Sequence, residues 1–511
     1  MRARKTSKQL SFNLFASLIS FGVSICISLF VTPVVVEKLG NEAYGFVSLA
    51  NSFVSYASLF TVALNSMESR FVSIHIFKND YEGANKYFTS VFFANVLIAA
   101  IMLPFMIVGV CRLECLFEIP VALVDDVKVT FAIVFIQFLI EILTSRFEIA
   151  TFVTNKLNLY YINQVIASLV RVLVIVIGFR FVSVKIVFLA LGAFLGKLYI
   201  VNRNIHYTKI FIPELKVRKR YFDRMCIVEV ASSGVWNLVS KLSAILLDGL
   251  DLLIANIFIS ASAMGSLSLS KTVPALFISL RGTLDYPFTP LMTECYAKGN
   301  IEGTIKYARM GNKLLGIFMI APMAVFLVYG KSFFSLWVPS QDANLLEILS
   351  LLSIMSLIAG SCINSIFTVF TITNHVKVNS LVILATGVGT TLTVFILLKT
   401  TTLGVYAIAG VSSVFALLRN FIFTPIYGAH CLSVKWNTFY HEIITGIICL
   451  VINSVIGYAL KLRLYGETWV AFILSCACMG VICVIVNIFV VLSKNDRTML
   501  ASMIRQKLKK E

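Results

Sequence analysis

Among the ionisable residues inside or at the ends of long apolar runs, ten stand out: Glu141, Arg146, Arg171, Lys241, Asp248, Asp251, Lys271, Arg281, Asp285 and Arg419. A charge at the centre of a membrane span costs about 2.5–3.5 kcal/mol even on insertion scales, so each such residue needs a partner, a helix end or a solvated wall. Arginine offers a planar fork that grips phosphate or carboxylate oxygens, and lysine offers a point charge. On that basis Arg281, Lys241 and Arg171, joined by Lys271, are read as lining a solvated cavity that attracts an anion. Acids inside a membrane are the usual sites of ion coupling. Asp285, Glu141 and Asp251 are the candidates, with proton or sodium as the ion. Two plainer readings stand beside these. Arg146, Asp248 and Asp251 sit near helix ends, where long or terminal charges snorkel to water. Arg281 and Asp285 are four residues apart and suit a pair along one helix.

Small polar residues form stripes. Asn13, Ser17, Ser20, Ser24, Ser28 and Thr32 recur at spacings of three or four, one face of a helix. Ser48, Asn51, Ser55, Ser58 and Asn65 form a similar stripe in the next run. Such stripes serve close helix packing in lipid or the wall of a wet cavity. Under the second reading Asn51 and Asn65 join the substrate-facing set.

Catalytic chemistry has no comparable footing. The five histidines show no ligand spacing, the eleven cysteines are scattered, and no GxxxxGK[ST] phosphate loop occurs. No catalytic residue, metal site or cofactor is expected.

The elements that must position these residues follow from composition. The chain is 59% hydrophobic and 13% charged, against about half and a quarter in soluble domains. Apolar runs fall at about 12–36, 44–66, 88–110, 128–150, 162–181, 186–202, 227–259, 262–290, 310–330, 345–370, 379–398, 403–426, 441–461 and 468–492. A spanning helix needs roughly 20 apolar residues, so the chain is expected to be an all-α integral membrane protein of about fourteen transmembrane helices. The first run is too long for a signal peptide and is read as retained. The formal charge of +18 is distributed between the runs, a topology signal rather than a nucleic-acid surface. Segments 1–10, 67–87, 151–160, 202–226, 291–309, 371–379, 427–440 and 493–511 carry 26 Lys and Arg, and the alternate loops carry eight. The positive-inside rule makes the first set cytoplasmic, together with both termini.

The chain also resembles itself. In the register that lays Lys78 on Lys298, Glu82, Gly83, Lys86 and Tyr87 fall on Glu302, Gly303, Lys306 and Tyr307 without a gap. The same register places Gly45, Ser48, Leu49 and Leu64 on Gly265, Ser268, Leu269 and Leu284. Six helices per copy make a parallel repeat, with a pseudo-two-fold axis along the membrane normal and a cleft between bundles. The expected organisation is a six-helix lobe over 1–201, a basic cytoplasmic linker over 202–226, a second six-helix lobe over 227–426, and two extra helices with a basic tail over 427–511.

Residues Lys38–Ser73 (KLGNEAYGFVSLANSFVSYASLFTVALNSMESRFVS) resemble the opening of Wzx-type polysaccharide flippases. Ser232–Pro274 (SSGVWNLVSKLSAILLDGLDLLIANIFISASAMGSLSLSKTVP) is similar to the opening of their second half. The resemblance covers most of the first twelve helices in layout, and it rests on packing and turn residues. It implies the multidrug/oligosaccharidyl-lipid/polysaccharide exporter superfamily, alternating access and an ion-gradient drive. The implied cargo is an undecaprenyl-pyrophosphate-linked oligosaccharide, such as an O-antigen or lipopolysaccharide unit, crossing a bacterial inner membrane. Alternatives are a drug exporter or a peptidoglycan lipid flippase of the superfamily. Both often carry charge in the first helix, whereas none lies between Phe12 and Val36 here. A membrane-embedded polymerase would need larger external loops.

Overall fold

The computed structural model describes residues 2–154, 156–285, 288–464, 468–493 and 497. Helices follow one another as α1 (Arg2–Ala57), α2 (Leu59–Phe77), α3 (Tyr81–Cys111), α4 (Leu113–Leu116), α5 (Val124–Thr144), α6 (Ile149–Val153), α7 (Leu157–Phe181), α8 (Val187–Phe211), α9 (Arg224–Ala244), α10 (Asp251–Phe258) and α11 (Ala261–Ser270). The order continues through α12 (Thr272–Asp285), α13 (Phe288–Ala297), α14 (Ile301–Trp337), α15 (Ala343–Cys362), α16 (Ser365–Ile372), α17 (Val376–Thr400), α18 (Val405–Leu418), α19 (Thr424–Cys431), α20 (Tyr440–Leu464) and α21 (Trp469–Val491). Among the described residues, twelve helices are long and apolar enough to cross a membrane. The fourteen runs map onto this set with two differences. The run at 44–66 is divided between the end of α1, which breaks at Gly40 (φ 85°), and the start of α2. The run at 186–202 lies in α8, 25 residues long, whose apolar character is diluted by Lys197 and Arg203. The chain is a multi-pass membrane protein. Its apolar surface fits that setting, with Phe30, Phe105 and Phe181 each at least three-quarters exposed.

The chain folds as two compact units, Met1–Ser268 and Leu269–Glu511. In the first, α2 lies against α9 so closely that a Cβ on Gly234 would strike the carbonyl of Ala63. Val72, Ala84, Phe88, Val91, Ala150 and Val230 form its buried core. The segment after α8 is strapped onto α3 by polar side chains. Asn85 donates to the carbonyl of Glu214 (3.0 Å) and accepts from the amide of Lys216 (2.6 Å). Thr89 donates to the carbonyl of Lys216 (3.3 Å), and Ser90 accepts from the amide of Asp223 (2.8 Å). Asn85, Thr89 and Ser90 are themselves buried, so this linker is held rather than loose, with Lys216, Arg218, Lys219 and Arg220 exposed along it.

In the second unit, Ile363, Ile366, Val369, Phe370 and Phe439 are buried together. The last two helices belong to this unit. Asn453 on α20 donates to Asn487 on α21 (2.9 Å), and Asn487 donates to the carbonyl of Ile317 on α14 (3.0 Å). Both asparagines are fully buried. In lipid such bonds hold helices together where apolar contact alone gives little preference.

The internal repeat recurs in local geometry. Between α2 and α3, Asn79 has φ 58° and Asp80 accepts from the amide of Gly83 at 2.9 Å. Between α13 and α14, Gly299 has φ 72° and Asn300 accepts from the amide of Gly303 at 2.8 Å. Asparagine and glycine are the residues that enter the left-handed region at least cost. Within the first unit, two repeat-related pairs touch each other. A Cβ on Gly45 would fall 2.9 Å from Gly265 Cα, and Ser268 donates to Ser48 at 2.6 Å. A residue in contact with its own counterpart marks a two-fold relation between the two segments.

Candidate functional site

Arg281 lies on α12 and is half-buried. Its guanidinium occupies the space left by the missing side chain of Gly360 on α15. A Cβ there would lie 3.2 Å from Arg281 Nη1 and 3.2 Å from Asn420 Nδ2. Asn420 is buried in a one-turn π-helical segment, Arg419–Phe423, that interrupts α18–α19. Its amide donates to the carbonyl of Ser356 on α15 (3.3 Å), and its oxygen accepts from Arg419 Nε (3.3 Å). Single-turn π segments inside helices are frequent at functional positions. The second unit therefore sets Arg281 and Asn420 against a glycine of α15, with Arg419 bonded to Asn420. The side chain of Asp285, expected as the partner of Arg281, lies outside the described residues.

The other candidates have separate surroundings. Arg171 lies on α7, where Gly192 of α8 packs on its backbone. Its Nε is buried and has no hydrogen-bond partner among the described residues. Lys241 is half-buried near the end of α9, just before a second π-helical turn, Ile245–Gly249. Lys271 stands at the break between α11 and α12 and is engaged by neighbouring groups. Asp251 is buried at the start of α10. Beside it, Tyr56 donates to the carbonyl of Gly249 at 2.5 Å. Glu141 pairs with Lys197 at 3.0 Å, an α5–α8 tie. Asn65 accepts from the buried Asn95 (2.7 Å), which also donates to the carbonyl of Ile142 (3.2 Å). Asn51 is exposed and donates back to Val47 of its own helix (2.9 Å). In the first stripe Thr32 and Ser20 are buried, while Ser24 is exposed and donates to the Ser20 carbonyl (2.9 Å).

Two helix-end expectations are corrected. Asp251 does not reach water, being 5% exposed, and Arg146 does not snorkel. It sits in a 3-10 turn between α5 and α6, 4% exposed, and pairs with Glu68 of α2 at 3.4 Å. Its Nη1 donates to the carbonyl of Phe88 (3.0 Å), and the guanidinium lies 4.9 Å from the ring centre of Phe92. The helix-end argument placed Arg146 by its own helix alone. What holds it is a carboxylate that arrives from another helix. The signal available in sequence was Glu68 itself, an acid just past the second apolar run. Outside the spans, Asp80 is held below the usual carboxylate range by the Gly83 amide first, then by His75.

Comparisons with known proteins bear on the whole arrangement. No family model matches the chain. A curated relative, the uncharacterized membrane protein EpsK of Bacillus subtilis (strain 168), is 27% identical over 494 residues, covering 97% of this chain and 98% of that protein. The chain is similar to the lipid II flippase MurJ in an inward closed conformation, with TM-score 0.64 at 14% identity, covering 94% of this chain and 97% of that one. It is also similar to an inward-facing multidrug resistance MATE family transporter, with TM-score 0.63 at 13% identity, covering 84% and 98%. The fold is similar to that of these solved transporters.

Proposed function

We propose that the protein is an exporter that moves a lipid-linked oligosaccharide, carried on a polyprenyl pyrophosphate, from the cytoplasmic to the outer leaflet of a bacterial inner membrane. One observation supports this cargo over a soluble drug. The MATE transporter matches 98% of its own length yet only 84% of this chain, whereas the lipid flippase matches 97% and 94%. The difference between the two shares, 94% against 84%, is comparable in size to α20 and α21 together, and the lipid flippase and this chain match over nearly the full length of each. In this reading Arg281 takes pyrophosphate oxygens, with the fork geometry that Arg419 and Asn420 help to fix. Arg171 and Lys241 are further anion-attracting groups. Asp251 and Glu141, with Asp285, are the candidate sites of proton or sodium coupling. The four-part organisation at 1–201, 202–226, 227–426 and 427–511 is proposed as the repeat framework, with both termini cytoplasmic. The test is deletion in a host with a defined surface glycan. Accumulation of undecaprenyl-linked glycan inside, with loss at the surface, is expected; unchanged surface glycan and unchanged drug sensitivity on deletion would oppose export of either kind.

A further inference from the structure

The first unit carries two apolar cavities that no part of the anion-binding reading uses. One, about 650 Å³, is lined by Leu64, Phe93, Leu97 and Ile98, with Phe222 and Lys219 of the linker at its edge. The other, about 750 Å³, is lined by Phe60, Ile98, Met102, Phe105 and Gly109, and ends at Leu116 of α4. They share Ile98 and follow the same faces of α2 and α3. From Phe93 to Gly109 the groove runs roughly 24 Å along α3 at 1.5 Å per residue. One leaflet of hydrocarbon is about 15 Å thick, half of the bilayer core. The groove is therefore longer than one leaflet of hydrocarbon is thick.

The near end carries a cation in a fixed place. Lys219 is exposed, and it makes no ion pair among the described residues. Its backbone belongs to the strap pinned on α3, and the neighbouring Phe222 ring meets Phe93 edge-on at 5.9 Å. Arg218 and Arg220 flank it. The far end is open, because a Cβ added at Gly109 would meet nothing within 4 Å.

We propose that this groove holds the chain of a long polyprenyl phosphate, with the phosphate at Lys219 and the chain running along α2 and α3 to Gly109. The inference rests on the lipid-linked cargo proposed above and locates where its lipid is first held, in the first unit, before the pyrophosphate is engaged by Arg281. It is tested with purified full-length protein in detergent, using radiolabelled polyprenyl phosphates of eleven and of three isoprene units. Wild type should bind the longer lipid about tenfold more tightly, the value of one additional 1.4 kcal/mol of contact. Gly109→Trp should bring that ratio close to one. Lys219→Glu should weaken both lipids by about tenfold, since a charge-assisted contact becomes a repulsion. Melting temperatures of the variants are recorded to separate misfolding from lost binding. Equal binding of both lengths by folded wild type would overturn the proposal, as would a length advantage that survives in Gly109→Trp. Phosphatidylglycerol competing as well as the long lipid would assign the groove to ordinary bilayer lipid and overturn it too. Failure here, with glycan translocation intact, leaves the cargo reading standing; tight long-chain binding without translocation does the reverse.

Discussion

The two repeat copies solve one packing problem in opposite ways. Glu68 and Arg146 form a buried ion pair in the first unit. The equivalent positions of the second copy are Phe288 and Ile366, which belong to one apolar cluster in the second unit. The fold accepts either, so the ion pair is not a requirement of the architecture. Elsewhere the contrast runs the other way. Thr61 is buried in the first unit, 3% exposed, while its counterpart in the repeat register is Arg281, set against Gly360 and Asn420. A buried ion pair whose arginine also donates to the carbonyls of Leu143 and Phe88 is a structural device. An arginine placed by a glycine and a π-helical turn, where a threonine suffices in the other copy, is the one we propose to be functional.

The largest expected effect breaks the first contrast. Arg146→Leu leaves Glu68 buried and alone, which costs about 3–5 kcal/mol. Thermal unfolding in detergent should show a large drop, with little protein in the membrane. Glu68→Phe combined with Arg146→Ile copies the second unit's solution and should recover most of that stability, because apolar replacement of a buried pair is often neutral. If the double variant is as unstable as the single one, the equivalence of the two sites is wrong.

Arg281→Ala should leave protein level and melting nearly unchanged and reduce surface glycan by about ten- to a hundredfold, the loss of one charge-assisted hydrogen bond of roughly 1.5–3 kcal/mol. Arg281→Lys should keep part of the activity, since charge survives and the fork is lost. A collapse of protein level in Arg281→Ala would make this arginine structural like Arg146. Gly360→Ala is a gentler version. The added methyl comes 3.2 Å from Arg281 Nη1, so the guanidinium must shift by a few tenths of an ångström, and export should fall a few-fold, about 1 kcal/mol.

The smallest effect compares the two turns. Asp80 caps α3 where Asn300 caps α14. The folded state holds the Asp80 carboxyl below its usual range. Its contribution is therefore present above the unfolded value, near about 3.9, and is lost as pH falls through the lower folded value. Asp80→Asn should remove a slight acid dependence of melting below about pH 4 while keeping the cap, because the two residues cap comparably.

Much of the architecture was legible from residue types. Apolar run lengths led to the helices, and Gly45, Ser48, Gly83 and their counterparts led to the repeat, because turns and close contacts constrain residue identity locally. The site was less legible. Arg281 stood out as an intramembrane charge, but Gly360 and Asn420, which position it, come from helices far along the chain and carry no charge of their own. Arg146 was misplaced for the same reason, since Glu68 reaches it from α2, well back along the chain. Asn453 and Asn487, which join the last two helices to α14, look in sequence like isolated polar interruptions of apolar runs.

We propose that this chain carries a lipid-linked anionic cargo across the bilayer, with Arg281 engaging it. The most direct measurement uses purified protein reconstituted in vesicles loaded with radiolabelled polyprenyl-pyrophosphate oligosaccharide, and follows access of an external glycosidase to the label. The account predicts rapid conversion of the inner pool with wild type and at least about tenfold slower conversion with folded Arg281→Ala. Wild-type vesicles no faster than protein-free ones under an imposed proton or sodium gradient would contradict it, as would an Arg281→Ala rate equal to wild type.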